Sequence, residues 1–222
     1  RSVLDYTFQA YLEYGLTDKL DIISALPYKF VGTASPSIDS SALNEGSLNG
    51  LGNYKLGIKY GILDKGLKVA VSVQSSFNTI SKDHNKGLTT GYDANSVGLY
   101  THIGKSFSKN VYSFIDVGVN TVGNNFSSYV GIHYELGYQV KPKLWTALTF
   151  DIRESFKDGS YINNNLKETG LYTNDQEYFA YGLKASYELK SKIGFTAATF
   201  GAFSGNYVAK VATFSIGIYK KW

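Results

Sequence analysis

The sequence predicts an all-β fold: a transmembrane antiparallel up-and-down β-barrel of about twelve strands, formed by residues 1–222 as a single domain. Three observations predict it. Long runs alternate apolar and polar residues with a period of two. Very short turns alternate with longer polar loops, the pattern of outer-membrane barrels, whose short turns are periplasmic and whose long loops lie outside. The composition suits a pleated sheet, with 19 Tyr, 13 Phe and 23 Gly against 3 Pro and no Cys or Met.

The alternation is clearest in 129–140. Val130, Ile132, Tyr134, Leu136, Tyr138 and Val140 share one face, opposite Tyr129, Gly131, His133, Glu135, Gly137 and Gln139. Leu144, Leu148, Phe150 and Ile152 oppose Ala147, Thr149, Asp151 and Arg153 in the next run. The same holds for Leu67, Val69, Val71 and Val73 against Lys68, Ala70, Ser72 and Gln74. Tyr54, Leu56, Ile58, Tyr60 and Ile62 likewise oppose Lys55, Gly57, Lys59 and Gly61. Successive Cβ atoms of a strand point to opposite sides, so one side of the sheet is apolar and the other carries charge and glycine.

A soluble sandwich or small soluble barrel also alternates, but its strands run to about five or six residues. Here the runs last about 10–15 residues, enough to cross a bilayer at a tilt near 45°. No stretch approaches the roughly 18 apolar residues of a spanning helix. The mean hydropathy of -0.16 fits a barrel, which needs apolar residues only at alternate positions. Tyr14, Tyr28, Phe30, Tyr138, Tyr187 and Trp222 lie toward strand ends, where interfacial aromatic girdles belong.

Short turns are expected at Leu16–Lys19, Asp64–Gly66, Ser108–Asn110, Lys141–Lys143 and Lys190–Lys192, and long loops at about 33–47, 81–91 and 157–174. Tighter connections fall near Asn124–Asn125 and Gly205–Asn206. Eleven strands follow: 2–14, 20–32, 48–63, 67–80, 92–106, 111–123, 126–140, 144–156, 175–190, 193–204 and 207–222. Bacterial single-chain barrels usually have an even number of strands. With Trp222 periplasmic, the first run starts outside, so a twelfth strand is expected before Arg1. A ten-stranded barrel with one misread segment is the alternative. No signal peptide is visible, and the chain is expected to be a mature or truncated form.

Two terminal segments resemble known patterns. The ending FSIGIYKKW places Phe214, Ile216, Ile218 and Trp222 on one face and resembles the closing strand of outer-membrane proteins, although Lys220 interrupts that face. The opening run YLEYGLTDKLDIISALPY, Tyr11 to Tyr28, resembles the outer-membrane transporter family named after the meta-pathway of phenol degradation, in the broad group of FadL-like channels. Glu13, Tyr14, Gly15, Leu16, Thr17, Asp18, Lys19, Leu20 and Pro27 carry the likeness. It covers the first hairpin; the rest agrees in hairpin spacing alone. The resemblance implies passage of small, including hydrophobic, molecules across the outer membrane, and it transfers no functional residues.

The charge pattern limits the function further. The net charge of +4 comes from Lys far more than from Arg, which occurs only at Arg1 and Arg153; a nucleic-acid partner is not expected. Candidate lumen-lining residues are Asp5, Glu13, Lys55, Lys59, Lys68, His102, Asp116, His133, Glu135, Asp151, Arg153, Lys184 and Glu188, with Asp21 and Lys29 on the same face. Two readings compete. These charges form a hydrated pathway, or they pair across the interior and fill it, as in small barrels. Their near balance argues against strong ion selectivity.

No enzyme, metal or cofactor is expected. A barrel hydrolase needs Ser and His together with an orienting polar group. Neither His102 nor His133 has a Ser two residues on, and Asp83-His84 stands alone in a polar loop. The spacing of Gly46, Gly50 and Gly52 opens no helix that would cradle phosphate. Asp158, Asn163, Asn164, Asn165 and Asp175 match no standard calcium loop. The expected activity is passive passage of small solutes through an outer-membrane channel. The alternative is a non-conducting barrel serving as a subunit of a larger complex. Expected partners are outer-membrane lipid and lipopolysaccharide, the barrel-assembly machinery during insertion, and other outer-membrane proteins.

Overall fold

The computed structural model describes residues 2–34, 46–162, 171–209 and 211–222. Its strands are β1 (Ser2–Gly15), β2 (Leu20–Ala34), β3 (Gly46–Leu51), β4 (Tyr54–Leu63), β5 (Leu67–Phe77), β6 (Lys82–Asp83), β7 (Leu88–Thr89), β8 (Ser96–Ser106), β9 (Val111–Val122), β10 (Tyr129–Lys141), β11 (Leu144–Ser155), β12 (Glu177–Glu188), β13 (Ile193–Asn206) and β14 (Thr213–Lys220). The main sheet runs β1-β2-β4-β5-β8-β9-β10-β11-β12-β13-β14, every neighbour antiparallel, with β3 also on β2. Each of the eleven expected segments contains a strand, so the ten-strand alternative falls. β1 and β14 end the path and have no ladder to each other among the described residues. The strand expected before Arg1 lies outside the chain.

One strand differs in kind from the expectation. The run 48–63 is two strands: β3 pairs the loop-side half of β2, Tyr28↔Leu51 to Thr33↔Gly46, and β4 pairs the turn-side half, Leu20↔Tyr60 to Ala25↔Lys55. The break falls at Gly52–Asn53, beside Pro27. A Cβ on Gly52 would lie 2.9 Å from Pro27 Cγ and 3.1 Å from Thr90 O, so the backbone packs there closer than any side chain permits. Other corrections are at ends. Residues 92–95, 207–209 and 211–212 belong to connections, and Gly205–Asn206 is strand rather than turn.

The strands of the path other than β14 have 10–15 residues. At about 3.3 Å per residue and a tilt near 45°, about twelve residues cross the roughly 30 Å of hydrocarbon. The apolar face points outward. Leu4, Phe8, Leu12, Ile58, Val73, Leu99, Val119, Leu183 and Ile218 are all exposed, and Ile216 is 92% exposed. Exposed apolar area on this scale is unstable in water and stable in lipid. The girdle candidates Tyr14, Tyr28, Phe30, Tyr138, Tyr187 and Trp222 are exposed too. Left-handed backbone closes several connections: Gly66, Lys143 and Lys192 at short turns, and the Asn124–Asn125 pair between β9 and β10.

The inner face has its own packing rule. Tyr100 pairs Gly118, Tyr112 pairs Gly137, Phe200 pairs Gly182 and Tyr219 pairs Gly194, each directly across adjacent strands. A Cβ on Gly118 would lie 2.1 Å from Tyr100 Cδ1, and one on Gly137 2.1 Å from Tyr112 Cε1. The aromatic rings therefore lie over the glycines, flat against the wall.

Candidate functional site: a polar cavity inside the barrel

The half of the barrel nearer the long connections encloses a cavity of about 720 Å³. Seven of the candidate charges line it: Lys29, Lys55, His102, Asp116, His133, Asp151 and Arg153. The others lie elsewhere. Asp5 is bonded to Lys29 (2.9 Å) and to the Tyr172 hydroxyl (3.2 Å). Glu13 pairs with Lys59, which also reaches Asp21 at 3.4 Å. Glu135, buried, accepts from Tyr112 (2.5 Å) and Lys184 (3.1 Å). Glu188 holds Lys221 at 2.5 Å, and Lys68 is exposed near the short-turn end.

Four strands bring the imidazole and carboxylate groups into one row. His102 pairs Asp116, Asp116 pairs His133, and His133 pairs Asp151 in direct cross-strand register from β8 to β11. His102 Nδ1 lies 2.6 Å from Asp116, and His133 Nδ1 lies 2.6 Å from Asp151. Ser72, on β5, stands 2.9 Å from His102 Nε2, so serine, imidazole and carboxylate form a hydrogen-bonded chain. This geometry was hidden in the sequence, because the serine comes from another strand. Ser72 is only 2% exposed and also accepts from Gln74 Nε2 at 3.1 Å, which leaves its hydroxyl covered. A nucleophile must reach a carbonyl carbon; this one is walled in.

The connection between β5 and β8 folds inward. Its β6–β7 hairpin packs against β3, and Thr90 donates to Leu51 O at 2.5 Å. Asn53, freed from the ladder by the strand break, clamps the segment after the hairpin. Its Nδ2 donates to Tyr92 O (2.8 Å) and Ala94 O (3.3 Å), and its Oδ1 accepts the Tyr92 N–H (2.7 Å). Tyr92 is thereby aimed across the cavity. It meets Tyr172 edge-on at 5.3 Å and Phe126 at 5.7 Å, donates to Gln176 Oε1 at 2.5 Å, and accepts from Arg153 Nη1 at 3.0 Å. Burial pushes its phenol up to about 12, so it remains neutral. Burial, then the Asp5 charge, pushes Tyr172 up as well.

Arg153 lies over the Tyr129 ring at 3.7 Å and the Tyr92 ring at 5.3 Å. A continuous chain thus crosses the interior from Asp5 on β1 through Tyr172 and Tyr92 to Arg153 on β11. Lys29 sits 5.1 Å above Tyr172 and steadies the first link. Sequence reasoning missed Asn53, Tyr92 and Tyr172. Tyr129 alone carried a signal, through its place on the glycine-bearing face.

An outward apolar belt, an inward polar wall and antiparallel up-and-down strands define the class: a transmembrane β-barrel of the bacterial outer membrane. Comparison with a solved structure agrees as to the fold. The chain superposes on an outer membrane channel from Pseudomonas putida F1 with a TM-score of 0.68 and 15% identity, over 96% of this chain and 80% of that one. OmpT, an outer membrane protein of Vibrio cholerae, aligns over 98% of this chain and 91% of that one at 11% identity, with a TM-score of only 0.38. No protein-family model matches the chain, and no curated protein sequence matches it. The likeness to the phenol meta-pathway transporters therefore rests on the first hairpin alone.

Proposed function

We propose that the protein is an outer-membrane channel for passive passage of small solutes. The observation that carries this reading is the 720 Å³ cavity walled by Lys55, Arg153, two His–Asp pairs and tyrosine hydroxyls, inside a barrel whose outer face is apolar. A barrel interior filled for stability alone would close over its charges, as around the Glu13–Lys59 and Glu135–Lys184 pairs, and would leave no cavity of this size. The superposition on a channel supports the same reading. Catalysis is no part of it, because Ser72, hydrogen-bonded to His102, is covered.

The Asp5–Tyr172–Tyr92–Arg153 bridge favours a second reading, a barrel that does not conduct and serves as a subunit of a larger assembly. Planar-bilayer recording and liposome swelling separate the two. The channel reading expects discrete conductance steps and swelling in small sugars, both increased by Tyr92→Ala. A silent barrel, unchanged by Tyr92→Ala and co-purifying with stable partners, would refute it.

A further inference from the structure

We propose that Lys55 and Arg153 form a binding site for a small organic carboxylate inside the cavity. This deepens the channel reading and rests on it in taking the cavity as part of the solute path. Asp5 answers Lys29, Glu13 and Asp21 answer Lys59, Glu135 answers Lys184, and Asp116 and Asp151 are engaged by His102 and His133. Lys55 and Arg153 both line the cavity, and neither has a carboxylate partner among the described residues.

The two cations come from β4 and β11 and line the same cavity. Like charges drawn together in a partly enclosed space repel, and an anion between them relieves both. Arg153 adds directional recognition. Its Nη1 is engaged only by the neutral Tyr92 hydroxyl, and its Nε is enclosed with no hydrogen-bond acceptor among the described residues. An enclosed donor without an acceptor is costly. A planar guanidinium matches the two oxygens of a carboxylate in fork geometry, and Lys55 supplies a mobile point charge opposite. Tyr129 fixes the plane of the guanidinium from beneath, so the fork is oriented before a ligand arrives.

The test uses the full chain folded in detergent and ¹⁹F NMR of trifluoroacetate, with trifluoroacetamide as the neutral isostere. Saturable broadening of the trifluoroacetate line is expected, with none for the amide. The broadening should vanish in Lys55→Gln and in Arg153→Gln and persist in Lys55→Arg and Lys68→Gln; heat-modifiable migration on gels verifies that each variant is folded. Should Arg153→Gln fail to fold, Lys55→Gln against Lys55→Arg decides alone. Equal broadening by the amide, or broadening retained in Lys55→Gln, would overturn the proposal. Bilayer recording separates this outcome from the channel reading. A silent barrel that still binds trifluoroacetate keeps the site and loses the channel. A conducting barrel that binds none keeps the channel and loses the site.

Discussion

Replacing Asn53 with Ala removes the clamp on the inward segment while leaving the barrel ladders untouched. Three hydrogen bonds to that segment are lost, at 2.8 and 3.3 Å from Nδ2 and at 2.7 Å to Oδ1, together with a long one of 3.5 Å from Nδ2 to Phe77 O. The two shorter ones have ordinary hydrogen-bond lengths. At about 1 kcal/mol net each, their loss lowers the free energy holding the segment closed by about 2 kcal/mol. That is about thirtyfold in the opening equilibrium, since about 1.4 kcal/mol is tenfold. Amide hydrogen exchange in detergent reads this directly, because exchange from a locally opened segment tracks its opening free energy. The Tyr92 amide should exchange about thirtyfold faster in Asn53→Ala, whereas amides of β9 and β10 keep their rates. Asn53→Asp retains the acceptor for Tyr92 N–H and should fall between. If Tyr92 exchanges at the parent rate in Asn53→Ala, the clamp is not what holds Tyr92 across the cavity, and the reasoning fails.

Gly118→Ala should destabilise the barrel by about 1–3 kcal/mol, because the new methyl overlaps the Tyr100 ring. Equilibrium urea unfolding in detergent measures it, and a neutral substitution would contradict the flat seating of that ring. The parent protein should hydrolyse p-nitrophenyl acetate no faster than Ser72→Ala; a difference between them would show that the covered hydroxyl becomes accessible. The loop between β5 and β8 should also lose protection in acid. Burial tends to raise the Asp93 carboxyl, but hydrogen bonds from Lys82 and Asn78 outweigh it and hold the group below the usual range. A depressed folded-state value means the stabilisation is present above the ordinary value of about 3.9 and is lost as pH falls below it. Exchange of the 78–95 amides, followed downward from pH 5, should accelerate there beyond its intrinsic pH dependence, and less so in Lys82→Gln.

What could be read in the chain follows from the range of each signal. Alternation is local, so Val130 to Val140 and Leu67 to Val73 disclosed their faces, and the five short turns followed from the gaps between runs. Side-chain contacts between strands and across the interior are not local. The Ser72–His102 contact joins residues 30 apart, and the Tyr92 hydroxyl reaches Gln176 across 84. No periodicity encodes such distances. The break at Gly52–Asn53 was hidden for another reason. Leu48 to Ile62 keeps its alternation on both sides of the interruption, so the pattern reads as one strand although Pro27 and Thr90 press on the backbone at Gly52. The charged residues were identifiable as a face, but which of them pair required the register.

The glycines opposite Tyr100, Tyr112, Phe200 and Tyr219 have a consequence for the calibre of the barrel interior. A ring standing upright on the wall would narrow the bore by the length of its side chain; laid over a bare backbone, it occupies only its own thickness. Each such glycine therefore acts as a spacer adjustment. One added methyl does its work at a distance, by tipping a neighbouring ring toward the axis. In this barrel the free width of the interior is set as much by the smallest residues as by the largest.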